Sequence, residues 1–413
     1  MRFLISHPNN EIKKSFNISG SKSESNRLLI LKYLLENIEI DNISDSDDTV
    51  VLEKGLLSNS GKVNIHHAGT AMRFLTAYFS VQENKSYVIS GSDRMHDRPI
   101  KILVDALNDL GADVKYIDKK GYPPLKINGK KLNVFHVSLD ANISSQYITA
   151  LILIAPSLEK GLIINLIGEI TSKPYIDMSL ALLNRIGVET SFINNRIEIK
   201  PVENLNISKH YVESDWSSLS YFFSVVALSK SSEINIGTYF KNSIQGDKEL
   251  VKIYDKLGVK TIFKNNKVNL KKTRNFKLPK KLELKLNDTP DLAQTIAVTC
   301  FGLGLPCDLY GLHTLKIKET DRLLALKVEL EKLGATVIIT KDSLHLKKSI
   351  IIKKDIIIDT YDDHRMAMAF ATLGIVKPII INNPQVISKS FPSFWSVLEK
   401  LNFKLSEVST NYI

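Results

Sequence analysis

Length, composition and charge limit the kinds of protein that this chain can be. Its 413 residues, 44% hydrophobic and 24% charged, are typical of a soluble globular protein of two or three domains. A formal net charge of +11 favours anionic partners without identifying them. Two cysteines, Cys300 and Cys307, are too few for a disulfide framework and favour a reducing cytoplasm. No run of about eighteen apolar residues and no signal-peptide pattern occurs, so we expect neither membrane insertion nor secretion.

The first helix is predicted to begin within the segment GSKSESNR near the N-terminus. Ser21 and Glu24 have capping-box spacing, and an apolar stripe follows them. Lys22 then falls in the first turn, where the helix dipole repels it unless something negative lies nearby. Ser23 and Arg27 are four residues apart and share one face. The segment is therefore either ordinary capping or half of an anion site.

Polar and basic residues also collect at the predicted starts of later helices. In HHAGTAMRF, Gly69 allows a close backbone approach and Thr70 is the expected N-cap. Asp291 follows a proline in a predicted first turn, a position that lowers the pKa of a carboxylate. The remaining candidates, in chain order, are Arg94, Ser144, Ser145, Gln146, Ser172, Tyr175, Lys318, Glu319, Arg322, Arg365 and Lys389. Many cations with two well-placed acids, Asp291 and Glu319, indicate proton transfer on a strongly anionic substrate.

Other kinds of site are less well supported by the sequence. The segments DSDDT (45–49), HH (66 and 67) and DDHR (362–365) contain metal-ligand residue types. None has a recognised ligand spacing, and each adjoins a helix start where Asp is a good cap, so no metal is expected. The lysine-rich segment 265–285 lacks the interleaved aromatic residues of a single-strand nucleic-acid groove. A basic nucleic-acid-binding repeat protein stays a remote alternative.

A repeat of about 70 residues runs through the chain. A helix ending in Gly or Asn and followed by a short strand recurs at intervals of 68 to 76 residues, marked by Asn37, Gly111, Gly187, Gly258, Gly334 and Asn402. Each mark is expected to adopt the left-handed conformation that ends a helix. Six units, three in each of two domains, are a natural arrangement. The polar segment 204–215 is a candidate crossing between the halves.

Nine segments in order resemble the 3-phosphoshikimate 1-carboxyvinyltransferase (EPSP synthase) family: GSKSESNR, AGTAMRF, RMHDRPI, SSQYITAL, SKPYID, PD at 290 and 291, KETDR, DDHRMAM and SKSFPSF. They extend from residue 20 to residue 395. The resemblance implies an α/β chain with the two-domain inside-out α/β prism of six βαβαββ units. It implies a discontinuous domain, 1–14 plus 214–413, and a second domain, 15–213, whose helix starts face a shared cleft.

The resemblance also implies a reaction: transfer of the enolpyruvyl group of phosphoenolpyruvate to the 5-hydroxyl of shikimate 3-phosphate, without a cofactor or metal. Asp291 would take the hydroxyl proton, Glu319 would protonate the methylene carbon, and Lys22 would assist catalysis. The residues matching phosphoenolpyruvate-binding positions are Lys22, Gly69, Arg94, Gln146, Arg322, Arg365 and Lys389. Those matching shikimate 3-phosphate-binding positions are Lys22, Ser23, Arg27, Ser144, Ser145, Gln146, Ser172, Tyr175, Asp291 and Lys318.

This chain departs from the family pattern at His67 and Thr314, where Asn is common, and at Phe74, where many members have Pro. Retention of Gly69 favours sensitivity to the inhibitor glyphosate, as a hypothesis. The main alternative is the UDP-N-acetylglucosamine enolpyruvyl transferase family, which typically has Lys-Asn at the first helix start and a reactive cysteine on a mobile loop. Here Ser23 follows Lys22 and both cysteines lie late in the chain. We expect a cytoplasmic monomer without nucleic-acid or membrane partners.

Overall fold

The structure is a computed structural model that describes residues 1–142, 144–202, 207–349 and 351–408. The chain divides into two compact units by its internal contacts. The discontinuous unit comprises Met1–Ser19 and Glu213–Ile413, and the continuous unit comprises Gly20–Val212. Of the predicted crossing segment, residues 204–206 lie outside the described residues, and Ser208–Tyr211 forms a strand.

The first two strands belong to the discontinuous unit, and the chain then enters the continuous unit. These strands are β1 (Arg2–Ser6) and β2 (Glu11–Asn17). The helices described in the continuous unit are α1 (Lys22–Leu35), α2 (Asp47–Leu56), α3 (Gly69–Ser80), α4 (Asp93–His96), α5 (Lys101–Asp109), α6 (Ser145–Ile154) and α7 (Lys173–Arg185). Its strands are β3 (Ile38–Asp41), β4 (Gly61–Asn64), β5 (Ser86–Ser90), β6 (Asp113–Tyr116), β7 (Leu125–Asn128), β8 (His136–Asp140), β9 (Leu162–Ile167), β10 (Thr190–Ile193), β11 (Arg196–Ile199) and β12 (Ser208–Tyr211).

The remaining elements return to the discontinuous unit. Its helices are α8 (Trp216–Leu228), α9 (Leu250–Asp255), α10 (Ala293–Gly302), α11 (Arg322–Lys332), α12 (His364–Ala371) and α13 (Phe394–Lys400). Its later strands are β13 (Ser231–Gly237), β14 (Val259–Lys264), β15 (Lys267–Lys272), β16 (Leu282–Lys285), β17 (Cys307–Tyr310), β18 (Val337–Ile339), β19 (Ser343–Leu346), β20 (Ile357–Ile358), β21 (Ile379–Asn382) and β22 (Lys404–Val408). Short 3-10 helices cover Ala155–Ser157 in the continuous unit and Gly246–Glu249, Pro290–Leu292, His313–Ile317, Thr372–Ile375 and Pro384–Lys389 in the discontinuous unit.

Five of the six sheets in the described part of the chain share one pairing pattern. In the order β4-β5-β7-β6, the first pair is parallel and the next two pairs are antiparallel. A parallel pair needs a crossover, and α3 supplies it between β4 and β5. The same pattern occurs in β8-β9-β11-β10, β2-β13-β15-β14, β16-β17-β19-β18 and β20-β21-β1-β22. The predicted βαβαββ repeat is therefore confirmed, although β3 and β12 form only a two-stranded parallel sheet among the described residues.

The predicted left-handed helix ends are confirmed at five of the six marks. Positive φ angles occur at Gly111, Gly187, Gly258, Gly334 and Asn402. The prediction for Asn37 is wrong, because the positive φ angle, 63°, occurs one residue earlier, at Glu36. Glu36 is the C-cap of α1, and its N–H donates to the Lys32 carbonyl oxygen at 3.0 Å.

Each unit buries its own apolar core. The core of the continuous unit includes Leu75 and Phe79 of α3, and that of the discontinuous unit includes Phe222 and Phe223 of α8. Almost every residue of α3 and of α8 is buried, which is typical of a helix in the centre of a domain. Both cysteines are buried free thiols. No helix in the described ranges is long and apolar enough to cross a membrane.

Candidate active site

A dense group of charged side chains in the discontinuous unit surrounds Asp291. This residue lies in the 3-10 turn that leads into α10. Its Oδ1 is 2.8 Å from Arg322 Nη1 and 3.4 Å from Lys318 Nζ. Arg365 Nη2 donates to Asp291 Oδ2 at 3.3 Å, and Nη1 donates to the Asp291 carbonyl oxygen at 3.2 Å. Three cations from separate positions in the chain therefore converge on one carboxylate.

Arg322 connects Asp291 to further carboxylates. Its Nη2 donates to Glu319 Oε2 at 2.8 Å, and its Nε donates to Asp363 Oδ2 at 2.5 Å. The other oxygen of Glu319 lies 2.8 Å from Lys389 Nζ. Buried charges persist only when they are paired, and the side chain of Arg322 is only 2% exposed. The structure thus brings together all the site residues predicted in this unit: Asp291, Lys318, Glu319, Arg322, Arg365 and Lys389.

These contacts fix the charge of the central groups. Burial raises the pKa of Asp291. The charges of Lys318, Arg365 and Arg322 outweigh that effect and hold the Asp291 pKa well below its usual range. Burial lowers the pKa of Arg322, but the neighbouring carboxylates, first of all Asp363, raise it above its ordinary value. At neutral pH Asp291 is therefore a carboxylate and Arg322 a cation.

Asp363 is a member of this group that the sequence analysis did not assign to the site. It is fully buried at the start of α12, and its Oδ1 accepts from the Arg365 backbone N–H at 2.9 Å. The interpretation of DDHR as a helix cap is thus confirmed, and the same carboxylate also holds Arg322. The available signal was an Asp directly before a helix whose first turn carries an arginine. In the described ranges no three His, Cys, Asp or Glu side chains are placed to hold a metal ion.

In the continuous unit, α1 begins at Lys22 as the GSKSESNR pattern predicts. Ser21 Oγ accepts from the Glu24 backbone N–H at 3.5 Å. Lys22 Nζ lies 3.1 Å from Oδ2 of Asp48, a buried residue in the first turn of α2. Asp48 belongs to the DSDDT segment, which was interpreted from the sequence as a helix start and not as part of a site. Its carboxylate supplies the negative charge that a lysine in a first helical turn requires.

Arg27 is buried among α1, α6 and α7. Its Nη1 donates to the Ser23 carbonyl oxygen at 2.7 Å, and its Nε donates to Ser179 Oγ at 2.9 Å. Its Nη2 donates to the Tyr175 carbonyl oxygen at 3.2 Å and to Thr149 Oγ1 at 3.4 Å. Burial lowers the Arg27 pKa to about 10. The guanidinium therefore fixes Ser23 and Tyr175 relative to each other through neutral oxygen atoms.

The start of α3 differs from its prediction. The N-cap is Ala68 and Gly69 is the first helical residue, so the assignment of Thr70 as N-cap is wrong. A Cβ atom at Gly69 would lie 2.3 Å from Nη1 of Arg98, which is 8% exposed. A side chain at this position would therefore require the Arg98 guanidinium to move. Arg94, the arginine chosen from the sequence, lies exposed on α4.

Hydroxyl and amide groups occupy the start of α6. Ser144 Oγ accepts from the Gln146 backbone N–H at 3.3 Å and caps the helix. The Gln146 side chain donates to Thr70 Oγ1 at 3.4 Å and so links α6 to α3. Ser145, which lies between Ser144 and Gln146 in the sequence, is buried, with 7% of its surface exposed. The paired serines and the glutamine therefore lie beside the helix start that carries Gly69.

Ser172 precedes α7 in a left-handed conformation, with φ 58°. Such a φ is uncommon for serine and is found mainly in turns and functional sites. Ser172 makes no side-chain capping bond to the helix, although it occupies the N-cap position. Tyr175 follows in the first turn, tied to Arg27 as described above.

Comparison with known proteins relates this geometry to a family. Residues 50–398 match the family model described as EPSP synthase (3-phosphoshikimate 1-carboxyvinyltransferase). A protein named 3-phosphoshikimate 1-carboxyvinyltransferase from Bacteroides fragilis is 42% identical over 408 residues, which cover 98% of each chain. The chain belongs to the EPSP synthase family. Another relative with that name, from Vibrio campbellii, is 37% identical and covers 97% of this chain and 100% of its own.

Solved structures agree with the family's fold. An EPSP synthase from Acinetobacter baumannii has a TM-score of 0.78 at 19% identity, covering 98% of this chain and 100% of that one. The predicted two-domain inside-out α/β fold is thereby confirmed.

Two of the three residues that depart from the EPSP synthase pattern, Phe74 and Thr314, are buried. Phe74 is buried under Arg27, whose guanidinium carbon lies 5.7 Å from the ring centroid, within the range of a cation–π contact. Thr314 is 5% exposed, and its Oγ1 has no hydrogen-bond partner in the described part of the chain. His67 is exposed. Phe74 thus lies against Arg27, one of the site residues predicted from the sequence.

Proposed function

We propose that this chain catalyses the reaction for which its relatives are named, in the shikimate pathway. It transfers the enolpyruvyl group of phosphoenolpyruvate to the 5-hydroxyl of shikimate 3-phosphate and releases phosphate. The observation that carries the proposal is the pairing of Asp291 and Glu319 through the buried Arg322. Two acids held among cations fit proton transfer on anionic substrates.

Asp291 acts as the general base on the 5-hydroxyl. Its depressed pKa keeps it ionised in the free enzyme but makes it a weak base. Lys318, Arg322 and Arg365 cause that depression, and they are also proposed substrate contacts. Anionic substrates that bind these cations offset part of their charge and raise the Asp291 pKa. The base therefore becomes stronger only when the site is occupied.

Protonated Glu319 gives its proton to the methylene carbon of phosphoenolpyruvate as the 5-hydroxyl oxygen of shikimate 3-phosphate attacks the neighbouring carbon. The product of this addition is a tetrahedral adduct. Loss of phosphate and of one proton from the methyl carbon restores the enol double bond. Glu319 takes that proton back, and the departing phosphate takes the hydroxyl proton from Asp291, so both acids return to their starting states. Arg322 and Lys389 each hold one carboxylate oxygen of Glu319 at 2.8 Å and so orient it.

The binding residues divide between the substrates as the family pattern implies. Phosphate monoesters carry nearly two charges and carboxylates one, so the two substrates bring about six negative charges. The cations proposed to meet them are Lys22, Arg27, Arg94, Lys318, Arg322, Arg365 and Lys389. We add Arg98 to this set because it is buried against Gly69, whereas Arg94 is exposed. We further propose that both units act on one substrate pair, that the enzyme is a cytoplasmic monomer and that it needs no cofactor.

Phosphate release from phosphoenolpyruvate tests this function. The purified chain is mixed with phosphoenolpyruvate and either shikimate 3-phosphate or UDP-N-acetylglucosamine. We expect release only with shikimate 3-phosphate, together with one equivalent of enolpyruvyl product by mass spectrometry. Release with the nucleotide sugar alone would assign the chain to the alternative reaction. No release with either, combined with salt-dependent oligonucleotide binding, would favour the nucleic-acid-binding alternative.

A further inference from the structure

Asp247 is a buried acid that neither the sequence patterns nor the proposed mechanism uses. It lies in the 3-10 helix Gly246–Glu249 and is 4% exposed. The Ser217 hydroxyl, in the first turn of α8, donates to Asp247 Oδ2. Gln245, the residue before this 3-10 helix, accepts at its Oε1 from the Trp216 backbone N–H at 3.0 Å. These two residues therefore attach the segment to the start of α8 at two neighbouring points.

Ser217 also contacts Arg365, a member of the charged group around Asp291. Arg365 Nη2 donates to Ser217 Oγ at 3.4 Å and to Asp291 Oδ2 at 3.3 Å. A hydroxyl has one hydrogen, so a serine that donates to Asp247 presents only lone pairs to Arg365. Without Asp247 the same hydroxyl could turn its hydrogen toward the Arg365 guanidinium. Asp247 thus keeps Ser217 Oγ as the acceptor of the hydrogen bond that Arg365 donates.

Burying the Asp247 carboxylate costs folding free energy that packing alone does not offset. Its Oδ1 has no hydrogen-bond partner in the described part of the chain. Burial raises the Asp247 pKa to about 6, which Arg365 and the Ser217 hydrogen bond oppose and Asp291 and Asp215 reinforce. A half-satisfied buried carboxylate destabilises a fold and persists where its charge has a use.

We propose that Asp247 is a positioning residue for the reaction: through Ser217 it holds Arg365 against Asp291 and orients that guanidinium toward the anionic groups of phosphoenolpyruvate. The inference rests on the proposed function. It assigns to Asp247 and Ser217 no contact with substrate. Their effect is carried entirely by the position and charge environment of Arg365.

Steady-state kinetics of four variants test the proposal: Ser217→Ala, Ser217→Thr, Asp247→Asn and, as a matched control, Ser224→Ala. Ser224 lies two turns further along α8, and its hydroxyl bonds Thr372 and Thr299 instead. We expect Ser217→Ala to raise KM for phosphoenolpyruvate about tenfold, the size of one lost hydrogen bond to a charged group. Ser217→Thr keeps the hydroxyl and should restore KM. Ser224→Ala should lower thermal stability without changing KM.

The pH dependence of Asp247→Asn separates positioning from packing. Above about pH 7 the wild-type residue is charged and the variant should have the higher KM for phosphoenolpyruvate. As the pH falls through about 6 the wild-type residue itself becomes neutral, so the two KM values should converge. Titration of the substrate affects both proteins equally and cancels in the ratio. A ratio that does not change with pH, or a Ser217→Ala enzyme with wild-type KM, would overturn the proposal while wild-type turnover still supports the function.

Discussion

Two buried arginines show how differently the units hold their polar residues. Arg322 is 2% exposed and Arg27 is 3% exposed, yet their pKa values shift in opposite directions. Three carboxylates surround Arg322 and raise its pKa above the ordinary value, whereas Arg27 meets neutral oxygens and burial lowers its pKa to about 10. We propose that the charged group around Arg322 serves proton transfer. We propose that the hydroxyl and carbonyl groups around Arg27 serve substrate recognition.

The largest expected effect comes from removing the central cation. Arg322→Met leaves Asp291, Glu319 and Asp363 without their shared partner, and we expect a loss of about 3–5 kcal/mol of folding free energy. Arg27→Met removes no hydrogen-bond donor from a carboxylate, so its loss of folding free energy should be clearly smaller. Urea unfolding at neutral pH measures both. Equal losses of folding free energy in the two variants would contradict the contrast between the charged environment of Arg322 and the neutral environment of Arg27.

The stability loss of Arg322→Met should also depend on pH. The folded-state pKa of Asp291 is depressed, so its contribution to stability is present above the unfolded value of about 3.9 and is lost as pH falls below it. The difference between wild type and variant should therefore be greatest near neutrality and shrink in acid. A difference that stays constant between about pH 7 and pH 3 would show that charge pairing is not its cause.

Asp291→Asn comes next in expected size. Loss of the general base should lower kcat about 10²-fold or more while the fold is retained. Asp288→Asn, an exposed neighbour three residues earlier, is the matched control and should keep wild-type kcat. Near-normal kcat for Asp291→Asn would remove this residue from the proton chemistry.

Arg27→Lys tests the recognition side of the comparison. Lysine cannot reproduce the fork that reaches Ser23, Tyr175 and Ser179 at once. We expect KM for shikimate 3-phosphate to rise about tenfold with a smaller change in kcat. Initial-rate measurements with each substrate varied in turn separate the two constants. A fall in kcat with unchanged KM would mean that Arg27 serves the chemistry and not recognition.

The smallest effect is expected at Gly69. A methyl group there would lie 2.3 Å from Arg98 Nη1, so Gly69→Ala must displace that guanidinium. KM for phosphoenolpyruvate should rise several-fold, about 1 kcal/mol of binding. Arg94→Ala provides the comparison, because Arg94 is exposed on α4. If Arg94→Ala raises KM for phosphoenolpyruvate more than Gly69→Ala does, Arg94 is the binding residue, as assigned from the sequence. Arg98 then has only a structural role.

The sequence predicted local features well. Ser21 caps α1, the repeat ends its helices at five of the six marks, and the fold class follows from the repeat and the family resemblance. Such features depend on neighbours in the chain, which a sequence displays directly. The C-cap at Glu36 and the N-cap at Ala68 were missed because Asn37 and Thr70 have the stronger intrinsic preference for those positions.

Contacts between distant segments could not be predicted in this way. Asp48 pairs with Lys22 across 26 residues, and Arg322 pairs with Asp363 across 41 residues. Both acids appeared as helix-cap candidates, but their cationic partners are defined only by packing. The same limit applies to Arg98, whose role depends on the space above Gly69, and to Asp247, which reaches the site through Ser217.

The most direct test of the division between the units is a side-by-side measurement of kcat and KM for Glu319→Gln and Ser145→Ala. We expect Glu319→Gln to lower kcat about 10²-fold with little change in KM. We expect Ser145→Ala to raise KM for shikimate 3-phosphate and to leave kcat within about threefold of wild type. A Glu319→Gln enzyme with wild-type kcat, or a Ser145→Ala enzyme that loses kcat at unchanged KM, would contradict it.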